Sequence, residues 1–316
     1  MDIKTSDLLD FYYDELYNEL TSLESERKRI LKQLYVVAAV VAGVAAAYFF
    51  ATKGDPVEKI LTLLPIGFAI VALSARWFGH SYRNRFKRDV FRRLVTHIDP
   101  SLTYDPDGKV HEGLFVASGL FETDYDRYEG KDYIRGKIGK TPIEFSNLKV
   151  EKRSRDARGR EHRETIFNGT FIVTEFHKHF TRSLMVLPDV AERYMGVLGG
   201  WFQNIGSKNL VRMDSPEFEN YFKVYCDDPV EAHYLLTPNL MEKIVALRKE
   251  AGSDLYFSFR YDKLFIAIAN GGKWFEPTLF RSLLRLDVFK SYIDNLDLIL
   301  SIVEELNLNR RIWSKA

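Results

Sequence analysis

Two histidines near the centre of the chain come nearest to a metal-binding pattern. His177 and His179 lie two residues apart and close to Glu175, and in a strand two such side chains face the same side. No further set of ligands with convincing spacing lies nearby, so polar residues at the end of a strand are the better interpretation. The sequence therefore predicts no metal site and no cofactor.

The single cysteine, Cys226, shows no sign of an activated thiolate. Asp227 and Asp228 follow it directly, and neighbouring carboxylates raise the pKa of a thiol rather than lower it. One cysteine also excludes a disulfide or a multi-cysteine zinc site within the chain. The glycine pairs at 199–200 and 271–272 lack the spacing of a phosphate loop. With no catalytic constellation, we predict that the protein is not an enzyme.

Two apolar runs near the N-terminus dominate the organisation of the chain. Residues 34–52 carry no charge, and residues 60–78 carry only Arg76, near the end of the run. Nineteen helical residues span roughly 28 Å, close to the hydrocarbon thickness of a bilayer. The first run begins too late in the chain for a cleaved signal peptide. We expect a transmembrane helical hairpin over residues 34–78, and the alternative is a buried helical pair in a soluble core.

The charges that flank the two runs predict the orientation of the hairpin. Arg27, Lys28, Arg29 and Lys32 precede the first run, and Arg83, Arg85, Lys87, Arg88, Arg92 and Arg93 follow the second. The loop between the runs holds Lys53 and Lys59 together with Asp55 and Glu58. Because lysine and arginine concentrate on the cytoplasmic side, both termini are expected in the cytoplasm of a multi-pass plasma-membrane protein.

The segment before the hairpin, residues 1–33, is predicted to contain a cytoplasmic amphipathic helix over 6–33 with Ser6 as its N-cap. An apolar stripe recurs every seven residues, and its members are Leu9, Leu16, Leu23 and Ile30, with Tyr13, Leu20 and Leu34 four residues after three of them. The stripe either packs on the protein's own domain or supports self-association through a coiled coil.

The segment after the hairpin, residues 79–98, is predicted to form a basic juxtamembrane helix. Its apolar face consists of Phe86, Val90, Phe91 and Leu94. The six basic residues from Arg83 to Arg93 are expected to contact anionic lipid headgroups, at about 1 kcal/mol per close Lys or Arg. The alternative is that these charges only set topology and pair with the acidic N-terminal helix. No nucleic-acid partner is expected, because the segment is tied to the bilayer.

Residues 99–316 are predicted to form a cytoplasmic α+β domain. Period-2 alternation indicates strands at 133–138, 143–152, 165–176 and 184–187, joined as an antiparallel β-meander. Helical signals follow at 188–202, from Thr237-Pro238 to about Lys249, at Phe275-Glu276-Pro277 and at 288–306. A hairpin is expected about Asp262-Lys263. This clustering of strands and then helices is typical of the α+β class.

A basic stretch links two of the predicted strands. Residues 152–163 hold six lysines or arginines against two acids, and the arginines are Arg153, Arg155, Arg158, Arg160 and Arg163. A basic hairpin tip of this kind docks on anionic lipid or on an acidic partner. The alternative is a solvated hairpin with incidental charge.

Four tracts of the chain resemble a known bacterial family. They are YEGKDYIRGKIGKTPIEFSNLKVE (128–151), TIFNGTFIVTEFHKHF (165–180), DSPEFENYFKVYCDDPVEAHYLLTPNLMEKI (214–244) and LNLNRRIW (306–313). On these residues the chain resembles the family catalogued as domain of unknown function 3137, whose members are membrane-attached. The resemblance implies no established activity. It implies a LemA-like membrane protein as a partner.

The sequence as a whole favours a membrane-anchored cytoplasmic binding or scaffold module at the inner leaflet. Two other interpretations stay open. One is an enzyme that acts on a membrane-proximal substrate through carboxylates that the sequence does not single out. The other is a structural subunit of a membrane complex, assembled through the stripe of residues 6–33. The formal net charge of +1 gives no strong preference for acidic or basic partners.

Overall fold

The computed structural model of the chain describes residues 5–121, 124–155, 159–175, 183–189 and 210–313. Two compact units make up the chain. The helical unit comprises residues 2–94 together with 276–293, and the sheet unit comprises residues 95–275 together with 294–316.

The helical unit is built from two long helices, each interrupted by a single π-helical turn. The first consists of α1 (Thr5–Phe11), a π turn (Tyr12–Leu16) and α2 (Tyr17–Ala51). The second consists of α3 (Pro56–Arg85), a π turn (Phe86–Phe91) and α4 (Arg92–Ile98), whose last four residues belong to the sheet unit. We call residues 34–52 and 60–78 the membrane segments. Residues 5–33 and 79–98 are the helix extensions.

A short loop joins the two long helices and is capped at both ends. The side chain of Asp55 accepts a hydrogen bond from the Val57 amide at 2.9 Å, which satisfies a free N–H at the start of α3. Lys59 Nζ donates to the carbonyls of Phe49 and Thr52 at the end of α2. Further along the pair, Gly67 leaves only 3.1 Å between a β-carbon at its position and Val41 Cγ1, so a side chain at residue 67 would crowd α2.

The first π turn corrects the predicted stripe. Leu16, Leu20, Leu23, Ile30 and Leu34 are buried as expected, but Leu9 is 37% and Tyr13 55% exposed. Phe11 and Tyr12 are buried instead. A π turn holds one extra residue, so the buried face before it moves by about one position relative to a seven-residue repeat. The predicted N-cap is also wrong, because α1 begins at Thr5 and Ser6 lies within the helix.

A segment from the C-terminal part of the chain completes the helical unit. Residues 276–285 are irregular, so the short helix predicted at Phe275-Glu276-Pro277 is wrong. Arg27 Nη1 donates to the Leu279 carbonyl at 2.7 Å, and the Ser282 hydroxyl donates to Glu24 Oε2 at 2.9 Å. The segment therefore satisfies part of its polar backbone with side chains from the first long helix.

The sheet unit contains a single nine-stranded antiparallel sheet in the described part of the chain. Its strands are β1 (Thr103–Asp105), β2 (Arg127–Ile138), β3 (Thr141–Arg155), β4 (Glu161–Glu175), β5 (Leu184–Pro188), β6 (Leu210–Val211), β7 (Phe222–Cys226), β8 (Leu255–Arg260) and β9 (Lys263–Ile268). They lie in the order β1-β2-β3-β4-β9-β8-β5-β7-β6. The predicted antiparallel arrangement and the α+β class are confirmed. The predicted meander holds for β2 to β4 but not for β5, because the β8–β9 hairpin lies between β4 and β5.

The core of the sheet unit is rich in aromatic residues. Phe115, Phe121, Phe167 and Phe171 pack together on one face, with the rings of Phe115 and Phe121 stacked 5.3 Å apart. Both faces of β4 are buried between residues 169 and 174, although the residues of one face are polar. The polar residues of that face, Thr170 and Thr174, are instead inside the protein.

The helices of the sheet unit start and stop at strong local signals. Besides α5 (Glu112–Ser118), they are α6 (Pro216–Glu219), α7 (Pro229–Leu235) and α8 (Pro238–Ala251), and α9 (Leu286–Trp313) begins in the helical unit. Thr237 caps α8 as predicted, and Gly252 ends it in the left-handed region with a φ of 59°. The β8–β9 turn holds Tyr261 and Asp262 at positive φ, as a tight hairpin requires. The helix predicted at 188–202 lies almost entirely outside the described residues.

Candidate functional site

The membrane segments expose their apolar side chains. In the first long helix, only 6% of the most apolar stretch is buried inside the protein. In the second long helix, none of that stretch is buried. Val44, Leu64 and Phe68 are 65%, 67% and 73% exposed. A core helix of a soluble protein would bury such residues, so the two helices suggest membrane anchoring.

Aromatic side chains mark both ends of the membrane segments. At one end, Tyr35 is 72% and Trp77 is 76% exposed. At the loop end, Tyr48 is 51% and Phe50 is 85% exposed. Tyrosine and tryptophan concentrate at membrane–water interfaces because each ring combines an apolar body with a polar edge. Their placement therefore also suggests membrane association.

The six basic residues predicted to touch lipid fall into two groups. Arg88, Arg92 and Arg93 are exposed on the surface of the second long helix. Lys87 is only 6% exposed, and its Nζ lies 3.3 Å from Glu276 Oε1. Arg83 donates to the Arg76 carbonyl at 2.8 Å. Lys87 therefore does not lie on the predicted surface, because the turn Phe86–Phe91 directs it into the unit.

Arg85 holds the two helix extensions together. Its guanidinium lies 2.5 Å from Glu19 Oε1 and 3.2 Å from Glu26 Oε2 on the first long helix. It also donates to the Ser22 hydroxyl at 2.9 Å. Arg85 of the second extension thus partly neutralises the acidic side chains Glu19 and Glu26 of the first extension. This contact matches the alternative interpretation for Arg85, in which basic residues pair with the N-terminal helix.

A more deeply buried ion pair lies nearby on the first extension. Arg27 forms two hydrogen bonds with Glu24, at 2.9 and 2.7 Å, and both side chains are at most 10% exposed. The hydrogen bond from Arg27, opposed in part by burial, holds the pKa of Glu24 below its ordinary value. The same pair raises the pKa of Arg27. Both groups therefore stay charged across the neutral range.

The basic hairpin tip lies between β3 and β4. Arg155 pairs with Glu161 at 2.9 Å, Arg163 lies 3.9 Å from Glu151, and Arg160 is exposed. The backbone amide of Arg153 donates to Asp126. Arg158 lies outside the described residues. Within the described part of the tip, acidic neighbours therefore offset some of the positive charge.

The residues first considered for chemistry do not form a site in the described part of the chain. His177 and His179 lie outside the described residues. No group of three or more metal-ligand side chains occurs among the residues that are described. Cys226 is buried in β7, and burial together with neighbouring carboxylates raises the pKa of its thiol. This direction confirms the expectation for the cysteine.

An open groove of about 540 Å³ lies at one end of the sheet, beside the β2–β3 turn and the β8–β9 turn. Its charged lining residues are Arg135, Lys137, Lys263, Glu144 and Glu175. The Tyr133 hydroxyl donates to Glu144 Oε2 at 2.8 Å, and burial with this hydrogen bond raises the pKa of Tyr133 to about 12. The groove thus offers hydrogen-bonding groups of both charges beside an apolar core.

A buried polar chain fixes the strand that borders the groove. Tyr104 and Asn147 both donate to the carboxylate of Asp132, at 2.7 and 3.1 Å. Thr170 then donates to Asn147, and Asn270 donates to Thr170, both at 2.8 Å. Asp132 sits at a β-bulge with a φ of 61°, so the network holds a strained residue in place. No local signal in the sequence links these five positions.

Comparison with solved structures gives a distant likeness. The crystal structure of the mycobacterial trehalose monomycolate transport factor A, TtfA, aligns over 66% of this chain and 93% of its own, at 9% sequence identity and a TM-score of 0.35. A likeness of this strength carries no argument about function. No curated protein matches the chain.

The family comparison bears on the C-terminal part of the chain. Residues 165–308 match the family model described as a protein of unknown function, DUF3137. The match covers β4 from Thr165 onward, strands β5 to β9 and most of α9, together with the segment 276–285 of the helical unit, and it leaves out β1, β2 and β3. The predicted resemblance to domain of unknown function 3137 is therefore confirmed over residues 165–308.

Proposed function

We propose that the protein is a membrane-anchored binding or scaffold module. It acts at the inner leaflet of a bacterial plasma membrane, with both termini in the cytoplasm. The observation that carries the proposal is that the most apolar stretches of the two long helices are almost entirely unburied in the described part of the chain. The excess of lysine and arginine on the two outer flanks supports the orientation. The bacterial assignment rests on the family resemblance.

Protease protection in oriented vesicles tests this orientation. With the cytoplasmic face outward, protease added outside should digest the sheet unit. With that face inward, the sheet unit should stay intact until detergent opens the vesicle. Digestion only from the extracytoplasmic face would contradict the proposal. Exposure of the loop around Gly54 to a small reagent on the opposite face provides the matched control.

Lipid contact is proposed for the exposed part of the basic surface. Arg88, Arg92 and Arg93 have exposed side chains on the second long helix, whereas Lys87 is buried and Arg85 pairs with Glu19. Replacing the three exposed arginines by glutamine should lower the amount of phosphatidylglycerol that co-purifies with the full chain in mild detergent. The matched control replaces Lys140, Lys249 and Lys290 by glutamine, since these exposed lysines lie outside both the juxtamembrane helix and the hairpin tip. Unchanged retention in the first variant would contradict the lipid contact.

The groove is the surface that we propose for a protein ligand. Lys137 and Lys263 make no ion pair in the described part of the chain, and Glu144 and Glu175 lie in the same lining. Groups of both charges beside apolar walls suit a polypeptide segment of a membrane protein, and the family resemblance nominates a LemA-like one. Changing Lys137 and Lys263 to glutamate should abolish co-purification of that protein, whereas Lys140→Glu in the adjacent turn should not.

The two other interpretations of the function now differ in support. An enzyme would use Glu144 and Glu175, because these are the carboxylates that share the groove. A structural subunit assembled through the stripe of residues 6–33 is less well supported, since Leu16, Leu20 and Leu23 are already fully buried in the helical unit. Mass measurement in mild detergent separates the subunit from a monomeric module. A dimer that dissociates when Leu9 and Tyr13 are changed would favour the subunit.

A further inference from the structure

The loop around Phe280 presents a large apolar side chain where the bilayer surface is expected. Phe280 is 78% exposed, and Arg281 beside it is exposed as well. The loop belongs to the helical unit although it lies about two hundred residues after the hairpin. An exposed phenylalanine on a fixed loop costs free energy in water unless another apolar phase covers it.

The position of the loop along the second long helix is set by direct contacts. Leu279 Cδ1 lies 3.1 Å from the place where a β-carbon on Gly79 would sit, so the absence of a side chain at Gly79 lets the loop approach α3. Arg27 donates to the Leu279 carbonyl at 2.7 Å, and Ser282 donates to Glu24 at 2.9 Å. These contacts fix Leu279 and Ser282, which precede and follow Phe280 in the chain.

Gly79 lies three residues beyond Arg76, the last charged residue within the second membrane segment. At 1.5 Å per residue, that separation is about 5 Å along the helix axis. Each headgroup layer of a bilayer is about 5 to 7 Å thick outside the hydrocarbon core. Trp77, 76% exposed, marks the same level. The Leu279 side chain therefore lies at the depth of the headgroups on the side of the helix extensions, and Phe280 is the next residue along the chain.

We propose that the loop Thr278–Ser282 is a third membrane contact, in which Phe280 inserts into the interfacial layer of the bilayer and Arg281 meets lipid phosphate. This inference rests on the proposed membrane anchoring and extends it to a segment remote in sequence. Aromatic and arginine side chains are favoured at that depth, because the ring is covered by acyl chains while the cation stays hydrated. The contact would fix the C-terminal part of the helical unit to the bilayer surface.

Photo-crosslinking in the full chain tests the contact. We would incorporate p-benzoylphenylalanine at residue 280, reconstitute the protein in vesicles of phosphatidylethanolamine and phosphatidylglycerol, irradiate, and identify adducts by intact-mass spectrometry. The positive control places the same residue at Phe68 in a membrane segment. The negative control places it at Tyr13, which is 55% exposed on the same unit and lies about 30 Å from the first membrane segment along the helix.

The expected result is a lipid adduct at residue 280 with a yield close to that at residue 68, and none at residue 13. A protein–protein adduct at residue 280 would overturn the inference and indicate a second copy or another partner on the loop. Absence of any lipid adduct at residue 280, with a clear one at residue 68, would also overturn it while leaving the anchor intact. Absence at residue 68 would instead overturn the proposed anchoring and the inference with it.

Discussion

Each long helix buries most of its large apolar side chains in one half and exposes most of them in the other. The helix extensions and the membrane segments are both rich in large apolar residues. In the extensions, Leu20 and Leu23 are fully buried against the rest of the helical unit. In the membrane segments, Leu61 and Leu64 are 70% and 67% exposed. Apolar content alone therefore does not distinguish a helix packed in a protein core from a membrane helix. The burial or exposure of the apolar side chains does.

Charges placed in the membrane segments should have the largest effect on this comparison. Changing Val44 and Phe68 to aspartate puts one acid near the middle of each segment, at about 2.5 to 3.5 kcal/mol per residue. The double variant should lose stable insertion and appear in the supernatant after carbonate extraction. Leu9 and Tyr13, exposed on the extension, are the matched pair, and their change to aspartate should leave the protein in the pellet. Equal behaviour of the two variants would show that the segments do not meet lipid.

The buried ion pair of the extensions should give the next largest effect. Arg27→Met leaves the buried Glu24 carboxylate with only the exposed Lys28, 3.9 Å away, as a nearby cation, and it removes the hydrogen bond to the Leu279 carbonyl. Breaking a buried pair in this way costs about 3 to 5 kcal/mol. Thermal unfolding of the full chain in mild detergent measures the loss.

The control for that variant is Arg285→Ala, which removes an exposed pair with Asp287. That change should leave the unfolding temperature where it is, because exposed pairs are screened by water and salt. A loss in Arg27→Met no greater than in the control would show that the buried pair does not hold the segment 276–285 in place.

Apolar packing in the extensions should come third. Leu20→Ala removes a fully buried side chain, and such a change costs about 2 to 5 kcal/mol depending on how far the cavity collapses. Tyr17, 43% exposed on the same helix, is the control, and Tyr17→Ala should cost much less. Hydrogen exchange in detergent should show faster exchange in the extensions of Leu20→Ala while the membrane segments keep their protection. Faster exchange in both regions would mean that they unfold together.

The smallest expected effect is a dependence of stability on pH. Arg27 holds the pKa of Glu24 below its ordinary value of 4.5, so the carboxylate is more acidic in the folded than in the unfolded state. Its contribution to stability is complete above that ordinary value and is lost as the pH falls through the folded pKa. Wild type and Glu24→Gln should therefore converge in unfolding temperature at acidic pH. A constant difference in unfolding temperature between the two proteins would contradict this assignment. Glu151, whose pKa is also lowered, contributes equally to both proteins, so its effect cancels in the comparison.

Local patterns in the sequence were enough for most of the sheet and for the ends of several helices. The alternation in β2, β3 and β4 and the Thr237-Pro238 start of α8 depend on neighbours along the chain, which the sequence displays directly. The helix predicted at Phe275-Glu276-Pro277 is absent because of a contact that is remote in the sequence. Its backbone is bound by Arg27, 252 residues away, and no local pattern reports such a contact.

The candidate sites likewise include some residues that the sequence identifies and others that only the fold brings together. The exposed arginines of the second extension were identifiable from charge, but the burial of Lys87 depends on Glu276 and on a π turn. The groove brings Tyr133, Glu144, Glu175 and Lys263 together from four strands, so its composition follows from the strand order alone. The polar chain through Asp132 is similar, since its members come from four neighbouring strands, β1 to β4, and from Asn270 after β9.

The sequence by itself determined the two apolar segments, the basic flanks and the α+β class. These follow from composition and from contacts between close neighbours, because partition of an apolar helix into lipid depends mainly on its own length and charge. Only the tertiary structure decided where each long helix stops being covered by protein, which basic residues remain on the surface, and that residues 276–293 join the helical unit. Those features rest on contacts between residues far apart in the chain, so only the folded structure shows them.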